Sequence, residues 1–143
     1  MLRLGKAREM LRVVDDQVGC PTCAADIAET ILRLASIYRE GNLISWGTFH
    51  YCGKGITTWY GFAKTIFEIA KNFESFAIEE IVPITTEEYP LPAKRPANSV
   101  LDCTCISKKF GIYPKPWQDS LLAMIKQLAG RNDSEWGRAK ISF

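Results

Sequence analysis

The sequence predicts an α/β fold: a small mixed domain of three or four helices with short strands. Two observations carry this. Three stretches, 22–38, 57–70 and 116–128, repeat apolar residues at three- and four-residue steps, the pattern of helices with one buried face. Three β-rich runs, 11–14, 48–52 and 80–84, lie between them. Runs so short and so few make only a small sheet, less than three helices of normal length need to cover their apolar faces. Some apolar helix face is therefore expected to be meant for another domain or subunit.

Taken in order, Met1 to Met10 (MLRLGKAREM) reads as a broken helix with no N-cap, as if the chain began inside an element. Leu11 to Val14 is β-like, and Asp16 to Thr22 is a loop punctuated by Gly19 and Pro21. A helix starts at Thr22 or Cys23 and runs to about Tyr38. Its apolar set is Ala24, Ile27, Ala28, Ile31, Leu34, Ala35 and Tyr38, and Gly41 ends it at C′. Thr48 to Cys52 (TFHYC) is expected to be a strand. Gly53-Lys54-Gly55 turns the chain, and Thr57 or Thr58 caps a helix with Phe62, Ile66, Phe67, Ile69 and Ala70 on its apolar side. Glu80 to Ile84 is a strand that Pro83 places at an edge or near its end. A constrained loop with Pro90, Pro92 and Pro96 follows. Asp102 is expected to cap a short helix ending at Phe110-Gly111, and Pro116 suits N1 of a last helix. Residues 1–130 form the folded part; 131–143 is a weakly patterned polar tail.

Composition removes several function classes. The 143 residues are 47% hydrophobic and 24% charged, with a formal net charge of +2, which is ordinary globular usage. No basic stripe points to nucleic acid. No apolar run approaches the roughly 18 residues that signal a membrane span. No secretory signal is legible, so the chain reads as cytoplasmic. Five cysteines, Cys20, Cys23, Cys52, Cys103 and Cys105, are an odd number, which without export argues for reduced thiols. Cys20-Pro21-Thr22-Cys23 matches C-x-x-C, but no second pair has zinc-ligand spacing, so the cysteines read as small apolar fillers and no metal is expected.

Two loops carry the chemistry. Gln17 and Thr22 are neutral hydrogen-bonding groups held by Gly19 and Pro21, suited to a sugar or base rather than to proton transfer. Lys94-Arg95 lies between Pro92 and Pro96, followed by Asn98 and Ser99. Flanking prolines reduce the entropy lost on gripping a ligand, and the guanidinium fork matches phosphate oxygens; a solvated surface pair is the alternative reading of Lys94-Arg95. Gly53-Lys54-Gly55 sits where a phosphate-cradling loop would lie, but lacks a third glycine and reads as a plain turn before a capped helix. Asp15-Asp16 point to opposite faces, so one is expected to serve a cap rather than both to form a catalytic pair. His50 is expected to be a packed or hydrogen-bonded strand residue.

The blocks VVDDQ-x-G-x-PT with A-x-DIA, TFHYCGKGITTWYGFA, and EYP-x-PAKRPANS-x-LD resemble dTDP-4-dehydrorhamnose reductases, an extended short-chain dehydrogenase family. The likeness runs from Met1 to about Leu128, with Gln17, Gly19, Pro21, Thr22, Asp26, Thr58, Tyr60, Arg95, Pro96, Ser99, Leu101 and Asp102 at family positions. It implies the C-terminal, substrate-binding part of such an enzyme, without the complete Rossmann sheet. It implies a role in NAD(P)H-dependent reduction of dTDP-4-dehydro-L-rhamnose to dTDP-L-rhamnose for cell-surface polysaccharide. Gln17, Gly19, Pro21, Thr22, Arg95, Asn98 and Ser99 are the implied dTDP-sugar contacts, with Arg95 on phosphate. No Tyr-x-x-x-Lys pair and no dinucleotide fingerprint occur in the chain. Catalytic and cofactor-binding residues are therefore expected in an N-terminal half that holds NADPH or NADH, and self-association is expected through the surface that half would cover. The competing reading is a non-catalytic regulatory subunit on the same fold, like the methionine adenosyltransferase β subunit.

Overall fold

The computed structural model describes residues 1–41 and 46–130; the polar tail expected at 131–143 lies outside the described residues. The order is α1 (Leu2–Ala7), β1 (Met10–Val14), β2 (Val18–Gly19), α2 (Ala24–Arg39), β3 (Thr57–Thr58), α3 (Trp59–Ala70), β4 (Glu80–Ile84), α4 (Thr104–Phe110) and α5 (Trp117–Ala129). Strands β1 and β4 pair in parallel, Met10 opposite Glu80 through Val14 opposite Ile84. Strands β2 and β3 form a second, antiparallel pair, with Val18 opposite Thr58 and Gly19 opposite Thr57. This is the small mixed α/β architecture expected from the sequence, without a complete sheet.

Helix α3 is the centre of the packing, and its sequence explains why. Ala63 and Phe67 lie on one side and pack with Leu11, Val13 and Ile78 against the β1/β4 sheet. Ile66 and Ala70 lie on another and pack with Trp117, Leu121 and Ile125 of α5. Residues three and four apart share a helix face, so one helix serves two apolar layers. Each such large side chain contributes about 1.5–3 kcal/mol on burial. Gly5 of α1 lies against the Phe67 ring, where an added Cβ would stand 2.2 Å from a ring carbon. Only glycine allows that helix to approach so closely.

Three local expectations fail. Thr48–Cys52 is irregular and enters no ladder among the described residues. A β-like sequence needs a partner strand; here Cys52 N donates to Cys103 Sγ and Gly53 N to Thr22 Oγ1, so side chains take these amides. His50, expected to be a packed or hydrogen-bonded strand residue, is exposed and lies in no strand. The Asp16–Thr22 loop contains β2, because Val18 is held between Thr58 on one side and 97–99 on the other. Smaller shifts occur at helix starts. Cys23, Cys103 and Pro116 are the N-caps of α2, α4 and α5; Asp102 still accepts from Thr104 N through Oδ1 at 2.8 Å.

Helix α2 is the larger surprise. Its apolar stripe does not enter the core: Ile27, Ile31, Leu32 and Tyr38 are 40%, 59%, 69% and 62% exposed. It attaches by its polar side instead. Asp26 Oδ2 accepts from Ser120 Oγ at 2.5 Å, Glu29 Oε2 pairs with Lys115 Nζ at 2.7 Å, and Thr30 is buried. The Asp26 and Glu29 carboxylates hold the Lys115 ammonium above the ordinary lysine range, the Glu29 hydrogen bond acting most strongly. The apolar face is thus uncovered among the described residues, as the shortage of strand surface led us to expect.

Candidate functional site: a neutral pocket between two loops

A cavity of about 390 Å³ opens between the Gln17–Thr22 segment, the start of α3 and Ser99. Local chemistry builds each wall. Thr58 is the N-cap of α3: its Oγ1 accepts from Gly61 N at 3.0 Å and donates to Asp15 Oδ1 at 2.5 Å. Asp15 therefore serves a cap, and Asp16 turns the other way, accepting from Thr86 N at 2.8 Å and Thr86 Oγ1 at 2.6 Å. Those two bonds, the hydroxyl first, hold the Asp16 carboxyl below the usual aspartate range. Thr86 Oγ1 also accepts from Gln17 Nε2 at 2.9 Å, which fixes the Gln17 amide, itself 8% exposed, at the pocket wall.

Gly19 is required by close approach. Ser99 Oγ would lie 2.7 Å from a Cβ at that position, and it donates to Val18 O at 3.1 Å. Val18 N bonds Ala97 O and Ser99 N bonds Val18 O, so the proline-rich loop is stitched to the Gln17–Thr22 segment through its backbone. Thr22 Oγ1 donates to Cys20 O at 3.0 Å and accepts from Gly53 N at 3.1 Å.

Of the seven residues expected to meet a ligand, Gln17, Gly19, Pro21, Thr22 and Ser99 line this one cavity. Arg95 and Asn98 do not. Asn98 Oδ1 accepts from Val100 N at 2.9 Å and its backbone bridges Val18, so it shapes the loop. Arg95 is exposed, with its guanidinium unpaired among the described residues. It is four residues before Ser99, and four extended residues span at most about 14 Å, so its backbone lies within that distance of the lining. Sequence reasoning missed Cys20, Thr57, Thr58, Trp59 and Phe62 as lining residues. The usable signal was a tryptophan directly after a helix cap: Trp59 is 49% exposed although its neighbours one turn on are core.

The thiols form a second feature. Cys52 Sγ and Cys103 Sγ are 3.6 Å apart, and Cys20 adjoins them. Burial pushes both the Cys52 and Cys103 thiols up. All five cysteines are free, and no group of three or more His, Cys, Asp or Glu that could hold a metal ion occurs among the described residues. The Gly53–Gly55 turn does not fit a dinucleotide. Gly53 N and Lys54 N are committed to Thr22 Oγ1 and Lys115 O, and Gly53 is wedged against the Pro21 carbonyl and Trp117. Among the described residues no helix is long and apolar enough to cross a membrane.

The fold and pocket define an α/β substrate-binding part of the extended short-chain dehydrogenase type. Residues 1–129 match the RmlD substrate binding domain, and the chain belongs to that family. A dTDP-4-dehydrorhamnose reductase from Aggregatibacter actinomycetemcomitans is 44% identical over 124 residues, covering 85% of this chain and 42% of the relative. The Escherichia coli K12 enzyme of the same name is 33% identical over 129 residues, covering 90% and 43%. A crystal structure of a dTDP-4-dehydrorhamnose reductase from Clostridium acetobutylicum matches with TM-score 0.75 at 40% identity, over 88% of this chain and 41% of that one. One from Bacillus anthracis in complex with NADP matches with TM-score 0.73 at 32% identity, over 87% and 41%. The chain thus spans less than half the length of these relatives.

Proposed function

We propose that this chain is the nucleotide-sugar-binding half of a dTDP-4-dehydrorhamnose reductase, acting in NAD(P)H-dependent reduction of dTDP-4-dehydro-L-rhamnose to dTDP-L-rhamnose. One observation carries the reading. Gln17, Gly19, Pro21, Thr22 and Ser99, from segments far apart in the chain, converge on one cavity. The relatives' printed activity supports the choice of substrate, and the NADP complex of a relative supports a nicotinamide cofactor held by the part of the enzyme beyond this chain. That cofactor supplies hydride in the whole enzyme. This chain's residues bind and orient the sugar nucleotide: the Gln17–Thr22 and Ser99 groups line the pocket, and Arg95, four residues before Ser99, grips the diphosphate with its fork.

Calorimetric titration of the chain with dTDP tests this. Saturable binding is expected, with none for NADPH. Arg95→Ala should cost about 1.5–3 kcal/mol of dTDP binding, the range for a hydrogen bond to a charged group. Arg95→Lys should recover only part. Absence of saturable dTDP binding, or binding of NADPH in its place, would overturn the reading.

A further inference from the structure

The pocket's spare hydrogen-bonding capacity is one-sided. A hydroxyl has one proton and two lone pairs. The Thr22 proton goes to Cys20 O, the Thr58 proton to the Asp15 carboxylate and the Ser99 proton to Val18 O. One Gln17 amide proton goes to Thr86. What the three hydroxyls still turn to a ligand is lone pairs, beside the second amide proton of Gln17. Among the described residues no lysine, arginine or histidine lines the cavity. An acceptor-rich wall without a cation is a poor seat for a diphosphate, which is itself an acceptor and an anion. It suits a neutral ring that brings its own N–H.

The other wall is flat and apolar. Trp59 at the start of α3 and Phe62 one turn on both line the cavity, with Pro21 across from β3 in the same lining. Phe62 is held edge-on by Trp117, ring centroids 5.6 Å apart at 81°, so its position is set from beneath. The Trp59 indole has no such cover and is half exposed. An indole face left open beside a neutral cavity is a stacking platform.

We infer that Trp59 stacks on the nucleobase of the sugar nucleotide, and that the pocket takes the base while the diphosphate lies outside at Arg95. This rests on the proposed function above. It also fits the demand of the reaction. The sugar carbon to be reduced must face a hydride donor held beyond this chain, which leaves the opposite, base end of the substrate for this chain's own cavity.

The test measures binding of dTDP, thymidine, L-rhamnose and inorganic pyrophosphate to the wild-type chain and to Trp59→Ala, Trp59→Phe and Arg95→Ala. Stacking on a base is worth about 1–3 kcal/mol, or roughly 5- to 150-fold in affinity. Trp59→Ala should therefore weaken dTDP and thymidine by a factor in that range, Trp59→Phe by less, and neither should change pyrophosphate binding. Arg95→Ala should weaken dTDP and pyrophosphate and leave thymidine alone. Partial retention in Trp59→Phe separates stacking from loss of fold, and far-UV circular dichroism with a melting curve checks each variant. If the wild type binds dTDP and Trp59→Ala binds it equally well, the base-stacking inference is wrong and the substrate-binding function stands. If Trp59→Ala loses L-rhamnose but not thymidine, the pocket holds the hexose and the inference is again wrong. If the wild type binds neither dTDP nor thymidine, the proposed function falls with it.

Discussion

Gly53→Ala is the substitution for which the structure makes the sharpest forecast. Gly53 is buried between the pocket loop and α5. An ideal Cβ there would stand 2.2 Å from Pro21 O and 3.1 Å from Trp117 Cβ, well inside the 3.0 Å at which something must shift in the first case. The near atom is backbone, so no side chain can swing aside. The Pro21 carbonyl must move by the better part of an ångström, and it belongs to the segment lining the pocket. Overpacking of this kind costs about 1–3 kcal/mol. Alanine also stiffens the unfolded chain, which offsets about 0.4–1 kcal/mol. A net loss of about 1–2 kcal/mol remains, or roughly 3–7 °C in Tm for a chain of this size. Gly111→Ala is the matched control. Its φ of +63° makes alanine strained there, at about 1–2 kcal/mol, yet nothing lies within 4 Å of the new Cβ and it is far from the lining residues. Thermal melts should show similar losses for the two variants. Calorimetry should show weakened dTDP binding for Gly53→Ala alone. The reasoning is refuted if Gly53→Ala keeps both Tm and affinity, or if Gly111→Ala loses as much affinity as Gly53→Ala.

Three further outcomes follow from the geometry. Asp16 is held below the ordinary aspartate range by Thr86, so its contribution to stability is complete above the unfolded value of about 3.9 and fades as pH falls through the lower folded value; carbon-detected NMR titration checks it, and an Asp16 carboxyl titrating at or above the free value would contradict it. Thiol titration should find five free groups after denaturation, and in the native state the exposed Cys105 should react first and Cys52 last, since burial raises the Cys52 thiol; fewer than five groups, or early reaction of Cys52, would be the contrary result. The open α2 face should drive self-association, so sedimentation velocity should show mass rising with concentration and Leu32→Glu should suppress it; a strict monomer at all concentrations would count against this use of the face.

How far the sequence reached differs by element. Helices α2, α3 and α5 were legible because a 3.6-residue apolar repeat is a local property of the chain. Strands β1 and β4 were legible because short branched runs bounded by turns favour an extended backbone wherever they pair; Pro83 fits because a two-stranded sheet has only edges. The left-handed glycines that end α2 and α4, Gly41 at φ 77° and Gly111 at φ 63°, were equally readable, since few other residues take that conformation. The loops bearing Gln17–Thr22 and Ser99 were singled out on residue chemistry, and the resemblance to reductases agreed.

What the sequence could not decide depends on partners far along the chain. Thr48–Cys52 has strand composition, yet composition cannot supply the neighbour that would complete a ladder. The apolar stripe of α2 was correctly read, but whether it turns in or out hinges on Asp26 and Glu29 meeting Ser120 and Lys115, residues about ninety positions away. Asn98 and Ser99 are polar neighbours that both bond nearby backbone, and only their placement beside Val18 leaves Ser99 and not Asn98 in the pocket lining. Trp59 has the sequence of a core aromatic and becomes a pocket wall only because α3 starts where β2 and β3 pair. The residue types and their local order are thus written in the chain, while the direction in which each side chain faces is settled by long-range contacts whose energies no local pattern encodes.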